Sequence, residues 1–467
     1  MAKTFRAWEP EQRWLLPPAI EEFVPPGHLA HFVRELVREE LDLSGIVEVY
    51  DDERGQPPYH PVMMTALLLY AYCQGVYASR RIAQACEQRL DFMAVTALAQ
   101  PDFRTISDFR KRHLAALSGL FTQVLKLCAQ AGLVKLGHVA LDGTKIKANA
   151  SKHKAMSYGR MKRAEAALAA EVAGWLERAA AADAADDGVL GAEQRGDELP
   201  AWVREKQERL AKIRAAKAAL EAEAAQAEAP RGDDQPPPPP DAPPPAPPDK
   251  AQRNFTDPDS RIMKGADGFV QAYNAQAAVD AESQVIVAQH VTPQATDAAQ
   301  FEPLVVQIKA NTGRQAAEVS ADAGYCSEHN LRVAQQRHIR AYIATGRQRR
   351  GQASATNARR GRTSGLVAAM RQRLRRGGWR SRYRLRKGTV EPVFGIMKHV
   401  RGFRQFLLRG ATKVAGEWSL VTTAHNLHKL AAAWTGGARR SPELRGKKRL
   451  VAASGMRSPP HAAVVCG

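Results

Sequence analysis

The sequence predicts an α/β protein: a helical N-terminal domain, then a mixed sheet flanked by helices, with a helical insertion after the first strand. Three observations predict it. Residues 1–135 carry apolar side chains at helical spacing, punctuated by proline. Strand-forming runs then alternate with helical stretches, first at 137–147 and again over 268–345. Between them, residues 150–255 turn abruptly to Ala, Glu, Lys and Arg and close on a proline tract.

In the N-terminal domain, 1–135, helical spacing marks residues 28–41, 61–77, 79–90 and 105–132. The segment Phe103-Arg104-Thr105-Ile106-Ser107-Asp108-Phe109-Arg110-Lys111-Arg112-His113 reads as a basic helix behind a Thr cap. With the helix at 79–90 it forms either a helix-turn-helix-like reader, its Arg104 and Arg110 facing phosphates or base edges, or a helical bundle with a solvated basic face.

Residues 137–147 alternate as a strand. The segments 155–182 and 202–229 have helical propensity throughout, and the proline tract to Pro248 is expected to be extended and disordered, so 150–255 reads as an inserted helical hairpin with a loose return. Strand-forming sequence resumes at Gly268, with a hairpin of 269–279 and 284–291 around Asp280-Ala281-Glu282-Ser283. A helix over 296–311, a strand over 317–323, a helix opened by Ser327 and a strand over 338–345 follow. The second domain thus spans 136–434, interrupted by the insertion. Its last helix turns Trp418, Leu420, Leu427 and Leu430 toward the sheet, and 435–467 reads as a disordered basic tail.

Charge narrows the function. Lys plus Arg number 68 against 48 acids, a net charge of +20, which points to a polyanionic partner and most commonly nucleic acid. From Arg347 to Lys387 there are fourteen Arg and one Lys with no acid. That stretch is expected to be partly disordered until DNA arrives, and its binding to be steeply salt-dependent. Five scattered cysteines without a CxxC pair argue against a disulfide scaffold or structural zinc and fit a reducing cytoplasm. No secretory pattern opens the chain, and the apolar window 62–73 is too short to span a bilayer. There is no phosphate-binding Gly-x4-Gly-Lys loop for an ATP-driven motor, and no His-Glu-x2-His for a zinc hydrolase. Asp257 and Asp259 are read as shaping a turn after the insertion.

Three acids remain. Asp142 closes the apolar run Val139-Ala140-Leu141, Asp322 ends Val319-Ser320-Ala321, and Glu391 lies in the first turn of a predicted helix. Hard divalent cations take oxygen ligands, and carboxylates from separate elements can converge on a two-metal site for phosphoryl chemistry. The element order allows Asp142 and Asp322 to stand on neighbouring strands, with Glu391 on a helix packed beside them.

These residues resemble a known family. The order of strands and helices, with Asp, Asp and then Glu on the last helix, is similar to the ribonuclease-H-like fold of DDE transposases. Leu141-Asp142-Gly143-Thr144-Lys145-Ile146-Lys147-Ala148 resembles the first-Asp block of bacterial insertion-sequence transposases, and Ala321-Asp322-Ala323-Gly324-Tyr325 the second. Residues Tyr383 to Lys398 resemble the Tyr-x2-Arg-x3-Glu-x6-Lys signature of one branch. Tyr383 and Arg386 keep its first spacing, but four residues separate Arg386 from Glu391, while Lys387 sits at the three-residue spacing, so either basic residue can fill the role. Glu391 and Lys398 keep the six-residue gap and share a helix face. Gln12-Arg13-Trp14-Leu15-Leu16-Pro17-Pro18 and Phe103 to Arg110 resemble further blocks of these proteins, so the resemblance covers roughly residues 8–430.

The resemblance implies that Asp142, Asp322 and Glu391 are catalytic and bind two Mg2+ ions, or Mn2+, roughly 3.5–4 Å apart. It implies phosphate or base contacts from Tyr383, Arg386, Lys387 and Lys398. The implied substrate is double-stranded DNA, both element ends and target, gripped by a homodimer or higher oligomer in the nucleoid-containing cytoplasm and without a membrane. Two rivals stand beside this reading: a nuclease of the same fold that only hydrolyses DNA, and a catalytically retired DNA-binding protein.

Overall fold

The computed structural model describes residues 19–50, 58–190, 201–227, 246–265, 268–347, 354–356 and 365–437. The opening block up to residue 18, most of the proline tract and the tail from 438 lie outside the described residues.

The N-terminal segment is helical: α1 (Leu29–Glu39), α2 (Ser44–Val47), α3 (Pro61–Cys73), α4 (Ser79–Gln88), α5 (Leu90–Thr96), α6 (Phe103–Arg112) and α7 (Leu114–Gln130). Two predicted helices are each divided. The 79–90 helix breaks at Arg89, whose extended backbone ends α4 and lets α5 start again. The 105–132 helix breaks at His113, between α6 and α7. The cap of α6 is Asp102 and not a threonine: its carboxylate accepts the backbone N–H groups of Arg104 (2.7 Å) and Thr105 (3.2 Å), and the Thr105 hydroxyl donates to its other oxygen (2.6 Å).

The sheet is mixed. Strand β1 (Val139–Lys147) is its centre, β2 (Ala155–Ser157) and β3 (Gln252–Asn254) form a separate ribbon, and β4 (Arg261–Gly265), β5 (Gly268–Asp280), β6 (Ile286–Thr292), β7 (Glu318–Ala321) and β8 (Arg340–Ile343) complete it. The order is β4-β5-β1-β7-β8, with β6 also on β5. β5 runs antiparallel to β1, whereas β7 is parallel to β1 and β8 parallel to β7. This is the α/β arrangement expected from the sequence, with Asp142 on β1 and Asp322 directly after the adjacent β7. The ribbon β2–β3 and strand β4 were not anticipated.

The remaining helices are α8 (Tyr158–Leu190) and α9 (Ala201–Ala227) of the insertion, then α10 (Phe301–Thr312), α11 (Glu328–Gln336), α12 (Gly365–Gly377), α13 (Leu385–Gly395) and α14 (Ala411–Gly437). Ser327 caps α11 by accepting the Asn330 N–H, as its position predicted. Part of the arginine-rich stretch, expected to be partly disordered without DNA, is helix: α12 buries Met370 and Leu374, half-buries Arg371 and exposes Arg375 and Arg376.

The apolar core crosses the predicted domain boundary at 135/136. Val33, Leu67, Val124, Leu141, Val279 and Trp418 belong to one buried cluster. Helix α14 explains why: residues 416–427 are all buried, because it is packed against α7 and α3 as well as against β6. Two polar contacts fix its register. The Asn426 side chain pairs with both the N–H and the carbonyl of Ile286, and the Trp418 indole donates to the Gln276 carbonyl (3.1 Å). Asp257 accepts the Tyr273 hydroxyl and the Gly410 N–H, and Asp259 accepts the Ala411 N–H, so this turn holds the start of α14, in keeping with its structural reading.

Asp280 is the corresponding tie ahead of β1. It is buried at the end of β5, where one carboxylate oxygen accepts the N–H groups of Lys135 (3.0 Å) and Leu136 (2.7 Å) and the other those of Glu282 and Ser283. Asp280→Ala strands these donors, and urea denaturation is expected to show a loss of about 2–4 kcal/mol.

Candidate active site

The β1–β7 register positions the two aspartates. Val139 pairs with Val319 and Ala140 with Ser320; two residues further along, Asp142 and Asp322 stand side by side where the parallel ladder ends. Open carboxyl ends of parallel strands are where α/β sheets receive ligands, because no further strand pairing fills the space. Asp322 begins a 3-10 turn, Ala323–Tyr325, and accepts the Gly324 N–H (2.8 Å).

Glu391 comes from α13, which lies across β1, β5 and β7. Its neighbour Pro392 has no N–H for the Gly388 carbonyl one turn earlier, and the Gln284 side chain donates to that carbonyl instead (2.9 Å). The helix then widens into a π turn over Ile396–Val400, carrying Lys398 toward β1, where its ammonium donates to the Lys145 carbonyl (3.1 Å).

Arg386 links the acids. One guanidinium nitrogen donates to Asp142 at 2.7 Å and the other to Glu391 at 3.2 Å. Arg386 is buried, whereas Lys387 is exposed, so of the two candidates at the signature's basic position it is Arg386 that reaches the acids. Burial opposes its charge, but Asp142, Tyr383 and Asp322 together raise its pKa. Burial pushes the Asp142 carboxyl up to about 6; Arg386 works against that and the like charge of Asp322 reinforces it. The Tyr383 hydroxyl is likewise raised by burial, with Asp322, Asp142 and Glu391 adding to the effect. Burial lowers the Lys398 amine, against the pull of Asp142. The predicted acids, Tyr383, Arg386 and Lys398 therefore gather in one place.

The acids are not closed around one point. Among the described residues no group of three His, Cys, Asp or Glu side chains is gathered at metal-ligating distance, and the Arg386 guanidinium lies between Asp142 and Glu391. The donor set itself fits a divalent cation of the Mg2+ class: hard carboxylate oxygens from separate elements, two of them side by side and one with a raised pKa.

A fourth acid escaped the sequence reading. Asp297, after β6, accepts at Oδ1 from Asn274 (2.7 Å) and Gln276 (2.8 Å), with the Lys145 ammonium at 3.4 Å. Asn274 and Gln276 alternate on one face of β5 and are both fully buried. Two amides at that spacing in an apolar strand were the available signal, since buried polar groups require partners.

Two of the predicted contacts call for comment. Arg110 is a correction: it is buried and donates inward to the Tyr77 carbonyl (2.9 Å), Tyr72 and Ser79, so it holds α6 against the α3–α4 turn and does not face DNA. Arg104 is exposed, its guanidinium 5.8 Å from the Phe103 ring. In the segment that leads into α13, Arg376 and Arg380 are exposed, as is Trp379, with the Arg384 guanidinium 5.2 Å over its ring. An exposed aromatic among arginines suits stacking on bases and pairing with phosphates.

Comparison with known families finds two matches. The model described as Transposase domain (DUF772) matches residues 18–112, and that described as Transposase DDE domain matches residues 245–427. Together they cover more than half of the chain, and the second spans both Asp322 and Glu391. Asp142 falls between the two matches and is joined to Asp322 by the sheet register and to Glu391 through Arg386. No curated protein and no solved structure matches.

The raised Asp142 pKa has a sign that can be tested. Its ordinary value is 3.8 and its folded value about 6, so the folded chain holds this proton more tightly. The contribution to stability is fully present below about pH 4 and lost as pH rises through 6, up to about 3 kcal/mol for a shift of this size. In chelator, Asp142→Asn and wild type are expected to melt at similar temperatures near pH 4, with the variant higher by several degrees at pH 8. The same difference at both pH values would refute the assignment.

Proposed function

The chain belongs to the DDE transposases of insertion sequences, and on that footing we propose that it binds the terminal inverted repeats of its element and catalyses metal-dependent DNA cleavage and strand transfer. What supports the reading is that Asp142 and Asp322 stand side by side where the β1–β7 ladder ends, with Arg386 joining Asp142 to Glu391. In this reading Asp142, Asp322 and Glu391 hold a pair of Mg2+ ions, for which Mn2+ can substitute. Bound there, the ions supply Lewis acidity at the scissile phosphate and a reactive water or 3′-hydroxyl oxygen at neutral pH.

The chain's own groups do the rest. Arg386 can exchange a carboxylate for a DNA phosphate without changing its geometry, because the guanidinium fork fits both anions. Lys398, in the π turn after α13, keeps an ammonium near Asp142. Tyr383 is held at the site by its turn, which Arg382 ties to Glu318 of β7 (2.7 Å). Strand nicking and strand transfer share this place and differ in the attacking oxygen, so no covalent protein–DNA intermediate is required. Gripping two ends at once calls for at least a dimer on the DNA, working in the cytoplasm on nucleoid DNA.

Arg376, Arg380 and Trp379 provide the approach surface. Replacing Arg376 and Arg380 together with Ala is expected to weaken binding of end DNA several-fold and to reduce the salt slope of binding by about 2, read by fluorescence anisotropy over a salt series. A slope equal to the wild type's would remove these residues from the interface.

Incubation of end DNA with Mg2+ tests the chemistry. Wild type is expected to release 3′-hydroxyl ends and join them to a second duplex. Asp142→Ala and Glu391→Ala are expected to bind the DNA with little change and to lower cleavage by at least about a thousandfold, a loss of about 4 kcal/mol of barrier reduction. Cleavage by both variants at wild-type rates would end the proposal, and nicking without joining would favour a purely hydrolytic nuclease.

A further inference from the structure

We infer that Asp297 is a fourth carboxylate of the cation site, an inference that rests on the reading of Asp142, Asp322 and Glu391 given above.

The first ground is where the side chain points. Asp297 occupies the cap position of the 3-10 turn Ala298–Gln300, where an aspartate ordinarily accepts N–H groups of its own turn. It makes no such bond. Its carboxylate turns into the sheet, where Asn274 and Gln276 both donate to Oδ1. Gln276 cannot swing away, because its Oε1 accepts the Tyr325 hydroxyl. Two amides thus fix one oxygen of Asp297 and leave Oδ2 facing the loop that carries Asp322.

The second ground is the closeness of that loop. A Cβ at Gly324 would lie 3.0 Å from Asp297 Oδ2 and 3.0 Å from Asp322 Oδ1, so the two oxygens cannot be more than twice that distance apart. A Cβ at Gly143, beside Asp142, would lie 2.6 Å from Asp297 Oδ1. Asp297 therefore sits between the glycine that follows Asp142 and the glycine inside the turn that Asp322 begins. A side chain at Gly143 would collide with Gln276 and Asp297, and one at Gly324 would press on both carboxylates.

The third ground is an unmet acceptor. Asn274 is fully buried and its Oδ1 has no hydrogen-bond partner; a Cβ at Gly143 would lie 2.9 Å from it. A buried amide oxygen without a donor, set beside carboxylates, is matched by a cation or by water held on one. Lys145 supplies one positive charge at 3.4 Å from Asp297, but only to Oδ1.

The test is Mn2+ binding to the metal-free full-length protein by calorimetry, without DNA, for wild type, Asp297→Asn, Asp297→Glu and Asp322→Asn. Asparagine at 297 keeps the acceptor for Asn274 and Gln276 and removes the charge. The expected result is an affinity at least about tenfold weaker for Asp297→Asn and several-fold weaker for Asp297→Glu, with the melting temperature of the metal-free protein within a few degrees of wild type. Wild-type affinity in both 297 variants, with loss in Asp322→Asn, would overturn the inference and leave the three-acid reading intact. Wild-type affinity in Asp322→Asn as well would overturn both. If Asp297→Asn does not fold, Asp297→Glu alone decides: a several-fold loss supports the fourth carboxylate and an unchanged affinity refutes it.

Discussion

Like charges held side by side and half out of water must be neutralised or protonated, and the architecture of this site follows from that constraint. The β1–β7 register brings Asp142 next to Asp322. Asp142 responds in both ways: its carboxyl rises to about 6, and Arg386 donates to it. The same guanidinium reaches Glu391, so one buried cation ties the sheet to α13. A salt bridge in such a place is weak evidence for stability, since desolvation offsets most of its attraction. Its value lies in position: it holds the carboxylates in reach of one another until a stronger cation or a phosphate competes for them.

Building that place requires β1 to be rigid and central. It pairs along its whole length with β5 on one side and begins its pairing with β7 on the other. Helix α14 is buried from 416 to 427 between β6 and the N-terminal helices, and its Trp418 stacks on Phe394 of α13, so the helical segment is part of the support around the acids. The buried amides of Asn274, Gln276 and Asn426 perform related tasks. Each ties a β5 or β6 position to another element, and a buried amide left unmatched is costly enough to fix the arrangement that satisfies it.

Much of this was legible in the chain, for identifiable reasons. Asp142 and Asp322 show as acids that close short apolar runs, and α3 shows as a continuous apolar segment. The divisions of the N-terminal helices at Arg89 and His113 were not legible, because a helix can end on an ordinary residue when packing turns the chain. Arg110 misled for a related reason: a basic residue in a basic helix looks solvated until tertiary structure supplies Tyr72, Tyr77 and Ser79 as acceptors. Asp297 was hidden because its partners lie more than twenty residues away on β5. The choice between Arg386 and Lys387 also needed the fold: the two differ by one position of helix rotation, and only the packing of α13 says which one points inward.

The insertion illustrates how a long segment can enter this fold next to the acids without disturbing them. It leaves just after β1, five residues beyond Asp142, and the ribbon β2–β3 closes its base at once. Its helices α8 and α9 pack on each other around Tyr158, Met161, Ile213 and Leu220, a cluster separate from the main core. The return strand is then secured twice: Arg253 and Arg261 both pair with Glu223 of α9, and Asp257 with Asp259 hold the start of α14. A segment that buries its own apolar face and meets its neighbours through a short ribbon and a few charged contacts adds little strain at its junctions. The position of Asp142 is then free to be set by the pairing of β1 with β5 and β7.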